Sequence, residues 1–218
     1  MLQTVITGDG SCSLYNPGAG EHYHSTFGAV TESMHVFIKN GIETINSNPI
    51  RIFEMGFGSG LNALLACLYA EEKQMPVFYN GIELYPLDFP LIRKLNYPEL
   101  TNTDPELFQS LHLLPWSEEH QLTPNFSFRK VHTDLLSITT GENSCDLIFF
   151  DAFSPQSQPE LWSFQIFKNL YESLTPGGVL VTYCVKGIVK KALRDCGFTV
   201  KVLPGPPGKR HMLRAVKN

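Results

Sequence analysis

The sequence has no stretch approaching the roughly 20 uninterrupted apolar residues of a membrane span, and its opening Met1-Leu2-Gln3-Thr4-Val5-Ile6 lacks the basic segment that begins a secretory signal. Both absences predict a soluble, cytoplasmic protein. There is no internal repeat and no low-complexity tract, so organisation must come from periodicity and turn signals. None of the five cysteines (Cys12, Cys67, Cys145, Cys184, Cys196) falls in a Cys-x-x-Cys pair. Three of them sit in or beside strongly apolar segments, as reduced core cysteines do, which argues against zinc or a disulfide scaffold. Of the seven histidines only His22 and His24 form a close pair, with no nearby acid beyond Glu21, so no metal site is assigned. Acids are nearly missing from the C-terminal fifth. From Thr175 to Asn218 nine basic residues face a single acid, Asp195, although the chain as a whole carries a net charge of −4. A solvated helix face and strand edge would explain this local excess, and so would a patch for the phosphates of a polyanionic substrate.

What is present suits one α/β domain: 218 residues, 43% of them apolar, are enough for a sizeable core. Strand-length apolar runs alternate with helical stretches. Ile50–Met55, Val77–Glu83, Phe126–His132, Cys145–Asp151 and Val179–Cys184 read as strands. Leu61 to about Glu72, Leu161–Ser173 and Ile188–Cys196 read as helices, and Pro176-Gly177-Gly178 as a turn. Two last strands, Thr199–Leu203 and His211–Val216, close the chain as an antiparallel hairpin. The expected fold is a doubly wound, mostly parallel seven-stranded sheet, with ligands at the C-terminal ends of its strands. Residues 1–33, rich in Gly and Ser, are expected to form an arm or short hairpin before a domain over 34–218. Six prolines between about 84 and 125 predict a helical insertion of short pieces joined by turns.

Phe53-Glu54-Met55-Gly56-Phe57-Gly58-Ser59-Gly60 is a strand-to-helix glycine turn. Without Cβ atoms the main chain can approach a ligand closely and adopt several backbone conformations. A dinucleotide fingerprint would place a glycine at the sixth position, where Leu61 stands; glycine at the fifth, Gly60, favours the G-x-G-x-G form of S-adenosyl-L-methionine enzymes. Glu83 ends the next strand, where a carboxylate can accept both ribose hydroxyls and repel a phosphate. Glu54 lies in range of the cofactor's amino-acid end. Asp134, just past the third strand, is placed either to meet the adenine amine or to cap a helix.

Asp151-Ala152-Phe153-Ser154-Pro155 follows the most apolar strand. An acid after Leu147-Ile148-Phe149-Phe150 costs several kcal/mol if buried unpaired, so it is partnered or used. A carboxylate here could hold an acceptor amine and take its proton; capping the next helix is the structural alternative. Tyr183 either lines the same crevice or packs in the core.

These motifs resemble the tRNA 5-aminomethyluridine methyltransferases, the methyltransferase half of bifunctional MnmC and its stand-alone MnmD-like relatives. The resemblance runs through Gly28 to Ser33 with Val36-Phe37, Glu54 to Asn62, Asp151 to Pro155 continuing into Pro159-Glu160-Leu161-Trp162, Thr182-Tyr183, Pro204-Gly205 and Gly208 to Met212. It implies a Rossmann-like class I methyltransferase that methylates the primary amine of a 5-aminomethyl group on the wobble uridine of tRNA. It implies Asn62 and Asp151 among the cofactor residues, Asp151 as the acceptor-side acid, and Phe153, Pro155, Tyr183, Lys209 and Arg210 on the substrate side, with Lys209 and Arg210 facing RNA. No FAD-dependent oxidase half is expected in this chain, so only the final methylation would be carried out. Before Gly28, Glu21-His22-Tyr23-His24-Ser25 stands where the family wording is Asp-Val-Tyr-Phe-Ser. Two other functions compete: methylation of a small-molecule amine, and a non-catalytic RNA-binding or assembly module on a methyltransferase fold.

Overall fold

The computed structural model describes residues 1–138 and 141–218. The chain opens with a three-stranded antiparallel sheet, β1 (Gln3–Ile6), β2 (Cys12–Asn16) and β3 (Glu21–His22). Helix α1 (Ala29–Ser33) runs directly into a π-helical turn over Met34–Lys39. The main sheet then begins with β4 (Ile50–Met55), followed by helix α2 (Leu61–Lys73) and β5 (Val77–Glu83). Three short helices follow, α3 (Phe89–Ile92), α4 (Tyr97–Thr101) and α5 (Pro105–Leu113), each with proline in its first turn, where no amide partner is needed. Strands β6 (Glu119–Thr123), β7 (Phe126–His132) and β8 (Cys145–Phe150) come next. Helix α6 (Phe164–Ser173), β9 (Leu174–Thr182), helix α7 (Gly187–Asp195), β10 (Thr199–Pro204) and β11 (His211–Val216) complete the chain.

The sheet order is β10-β11-β9-β8-β4-β5-β7-β6. The five central strands are parallel, and β6, β10 and β11 pair antiparallel at the two edges. The expected doubly wound α/β fold with its terminal hairpin is present, but the sheet has eight strands, not seven. The extra one is β6, whose residues Glu-His-Gln-Leu-Thr lie half-exposed at an edge and carry no apolar alternation to betray them. Two boundaries also differ. Pro176-Gly177-Gly178 is not a turn before β9 but a bulge inside it, since Cys145 pairs with Leu174 and Leu147 with Val179. The helix expected from Leu161 starts at Phe164: Ser163 caps it, accepting the Ile166 N–H at 3.5 Å, and Pro159–Trp162 form a separate 3-10 turn.

The order in which strands are added across the sheet reverses at β4, whose parallel neighbours are β5 on one side and β8 on the other. Strand β8 is buried along its whole length, as a strand covered on both faces must be. At the far end of the sheet Asp146 on β8 accepts from Arg51 on β4 through the backbone N (2.9 Å), Nε (3.0 Å) and Nη2 (2.8 Å), and from Thr175 Oγ1 on β9 (3.1 Å). Burial opposes its charge, yet the Arg51 hydrogen bonds hold its carboxyl below the ordinary range. This clamp fixes the register of the two strands that carry the site. Asp146→Ala should cost about 2 kcal/mol at neutral pH, measured by urea unfolding. Because the native carboxyl is depressed, its contribution is present at neutral pH and is lost as pH falls below about 4, so the gap between variant and parent should close there.

Candidate active site

At the C-terminal end of β4 the chain turns through three glycines with positive φ, Gly56 at 92°, Gly58 at 51° and Gly60 at 74°. Two are fixed by close approach as well. A Cβ on Gly56 would stand 2.8 Å from the Asp151 carbonyl oxygen, and one on Gly60 would stand 2.8 Å from His112 Nε2. The turn therefore nests against the end of β8 on one side and α5 on the other. Glu83, at the end of β5, accepts the Gly58 N–H through Oε2 and the Tyr85 N–H through Oε1, both at 2.8 Å. Its carboxylate ties the glycine turn to the β5 end while lining the cavity beside them.

Helix α2 starts directly on this turn, which puts Asn62 in its first turn, above the ends of β4 and β8. Asn62 Nδ2 donates to Glu54 Oε1 and to Asp151 Oδ2, each at 2.9 Å. Two carboxyl groups thus converge on one amide. Glu54 is fully buried, and burial first of all drives its carboxyl well above the usual range. Expected at the cofactor's amino-acid end, it stands behind Asn62 rather than on the cavity wall. Asp151 does reach the wall. Burial, reinforced by the Glu32 charge, raises its carboxyl to about 7 against the opposing Asn62 hydrogen bond and the Lys209 charge.

The wall beyond Asp151 is built from distant segments. Tyr183, immediately after β9, donates its hydroxyl to the Ala152 carbonyl at 2.9 Å, and Trp162 Nε1 donates to the Phe153 carbonyl at 2.8 Å. Lys209 turns inward, its ammonium 4.3 Å from the Tyr183 ring centre and paired with the Glu32 carboxylate on α1. Glu32 also accepts the Ser25 N–H at 2.7 Å. The cavity enclosed between the glycine turn, the ends of β5 and β7, the Asp151 loop and the N-terminal segment has a volume of about 1290 Å³.

Of the residues expected from sequence, Gly56, Gly58, Asn62, Glu83, Asp134, Asp151, Phe153, Tyr183 and Lys209 line this one cavity. Asp134 does so while capping a 3-10 turn, its Oδ1 accepting the Leu136 N–H at 2.9 Å. Gly60 shapes the turn without lining the cavity. Pro155 is buried away from it, and Arg210 is exposed outside it. Glu21, Tyr23 and Glu32 line the cavity but were not expected there; the only sequence signal for them was their place in a polar N-terminal segment next to the Gly28 motif.

A parallel sheet with a glycine turn and a strand-end acid meeting across its switch point defines a Rossmann-like methyltransferase fold. The family model described as S-adenosyl-L-methionine-dependent methyltransferase matches residues 108–218, and the chain belongs to this family. S-adenosyl-L-methionine is accordingly its cofactor, and the site suits it. The glycines leave the backbone open to close approach, and Asn62 Oδ1 is buried with no hydrogen-bond partner among the described residues. Among solved structures, MnmC2 from Aquifex aeolicus superposes with a TM-score of 0.80 at 26% identity, over 100% of this chain and 70% of that one. Spermidine synthase from Thermotoga maritima shares the fold, with a TM-score of 0.58 at 15% identity over 100% of this chain and 72% of that one. Among curated proteins, the tRNA 5-methylaminomethyl-2-thiouridine biosynthesis bifunctional protein MnmC of Polaromonas naphthalenivorans is 31% identical over 98% of this chain and 35% of its own length. That of Delftia acidovorans is 28% identical over 93% and 33%. The chain thus spans about a third of the length of these relatives.

Gly56→Ala tests the turn. It combines a strained φ with a 2.8 Å clash against the Asp151 carbonyl, and should weaken S-adenosyl-L-methionine binding by at least about tenfold in titration calorimetry.

Proposed function

We propose that this protein methylates the primary amine of a 5-aminomethyl group on the wobble uridine of tRNA, in the cytoplasm. The observation that carries the proposal is Asp151, which stands on the cavity wall one hydrogen bond from the cofactor-side Asn62, with its carboxyl raised to about 7. The names of the MnmC relatives and the MnmC2 neighbour support the choice of acceptor. Within the chain, 34–218 is the methyltransferase domain, with the stretch from about 84 to 125 as an insertion and 1–33 as an arm.

Bound S-adenosyl-L-methionine supplies an electrophilic methyl group on a sulfonium. The backbone at Gly56, Gly58 and Gly60 admits it closely, Glu83 accepts from its ribose hydroxyls and Asp134 from its adenine amine. Asn62 and Asp151 hold its amino-acid end, with buried Glu54 keeping the Asn62 amide in place. On the other side, Phe153 and Tyr183 present apolar faces to the uridine base. The acceptor arrives as an ammonium, which has no lone pair to attack with. Asp151 hydrogen-bonds this ammonium and accepts its proton, and a base whose carboxyl titrates near neutral pH is suited to that task. In-line approach of the freed amine to the methyl carbon then depends on where the wall holds it. Arg210, exposed outside the cavity, would meet backbone phosphates; Lys209, inside it, balances Glu32 and Asp151.

Incubating the protein with aminomethyluridine tRNA and methyl-labelled S-adenosyl-L-methionine should yield a wobble nucleoside heavier by one labelled methyl in mass spectrometry. Label found elsewhere in the tRNA, or only on a small amine, would contradict the acceptor. Asp151→Asn should lower the yield by about 100-fold even at saturating S-adenosyl-L-methionine.

A further inference from the structure

The N-terminal segment holds the acceptor loop through one carboxylate. Glu21, on β3, accepts the Ser154 N–H through Oε2 at 3.0 Å and the Ser154 hydroxyl through Oε1. Its Oε1 also lies 2.5 Å from Ser157 Oγ, which stands 3.2 Å from the Ala19 carbonyl. Burial opposes the charge of Glu21, yet the Ser154 and Ser157 hydrogen bonds hold its carboxyl below the usual range. Two residues further on, Tyr23 meets the Phe153 ring edge to face, with centroids 5.1 Å apart and planes at 88°, and lies against Gly58. From its other side the loop is held within its own segment: Gln158 Oε1 accepts the Phe153 N–H at 3.1 Å, and Trp162 holds the Phe153 carbonyl. Glu21, Tyr23, Phe153 and Ser154 all border the cavity that Asp151 borders.

From this geometry we infer that Glu21 is a positioning residue for methyl transfer: it latches the loop after β8 to the N-terminal sheet and so sets where Phe153 stands over the acceptor. The inference rests on the assignment of this wall to the acceptor. It explains why an acid belongs in a segment with no chemistry of its own. A carboxylate can accept from an amide and two hydroxyls at once, which no neutral side chain of that size can do. Methyl transfer needs its two reacting atoms aligned, and a wall displaced by about 1 Å costs on the order of 100-fold in rate. The glycine turn and Glu83 are held without Glu21, so cofactor affinity should not follow the acceptor geometry.

The test compares the full-length parent with Glu21→Ala, Glu21→Gln and the partner variant Ser154→Ala/Ser157→Ala. In amide hydrogen exchange read by mass spectrometry, peptides covering 152–158 should exchange at least about tenfold faster in Glu21→Ala while those covering 56–62 keep the parent rate. Methyl transfer to aminomethyluridine tRNA should lose about 30-fold in kcat, with the S-adenosyl-L-methionine Kd within about twofold. Glu21→Gln, which keeps one acceptor oxygen, should fall between parent and alanine variant, and the double serine variant should match Glu21→Ala. Unchanged exchange over 152–158 would overturn the latch, as would a loosened loop with parental kcat. A parent protein that methylates no tRNA would refute the acceptor assignment instead, while exchange over 152–158 still decides whether Glu21 holds the loop.

Discussion

The Asp151 N–H donates to the Met55 carbonyl at 3.0 Å, the last bond of the parallel ladder between β8 and β4. Everything chemical in this protein hangs from that junction. It sets the glycine turn and Asp151 side by side, because the chain leaves β4 through Gly56 at the height at which it leaves β8 through Asp151. Gly56 has no room for a side chain there, since the Asp151 carbonyl already fills the place. Asn62 then binds the two strand ends a second time through the carboxyls of Glu54 and Asp151. The glycine turn and Asp151 are therefore one rigid unit.

The electrostatics of the site follow from this crowding. Glu54, Asp151 and Glu32 bring three carboxyl groups into a poorly solvated region, and Lys209 offsets the charges of Asp151 and Glu32. Like charges and burial both favour the protonated acid, which is why Asp151 titrates near neutrality and not near the ordinary value for aspartate. A carboxyl tuned this way can change protonation state within the range where an amine substrate must lose its proton.

Strand β8 was legible because it is buried along its whole length and carries the apolar run Leu147–Phe150; β4, β5 and β7, though interrupted by polar residues, have the bounds that periodicity predicts. The glycine turn and Glu83 were legible because their chemistry depends on local spacing. Edge strand β6 was not, since a half-exposed polar strand leaves no pattern. The side Glu54 takes was not either: the acid is visible in the sequence, but only the pleat of β4 decides that it points behind Asn62. Glu21 and Glu32 were missed for another reason. Glu21 meets Ser154 across 133 residues, and Glu32 meets Lys209 from a helix beside the arm, so no local signal announces either contact.

In the proposed reaction Asp151, set beside the glycine turn by the β4–β8 junction, takes the proton from the acceptor amine. The most direct measurement is the pH dependence of kcat/KM for methyl transfer, followed from about pH 5.5 to 8.5 in the parent and in Asp151→Asn. The parent rate should rise about tenfold per pH unit below about 7 and level off above it, whereas the residual rate of the variant should show no break near 7 and climb on toward pH 8.5 with the fraction of free amine. A flat parental profile, or the same break near pH 7 in Asp151→Asn, would contradict that role for Asp151.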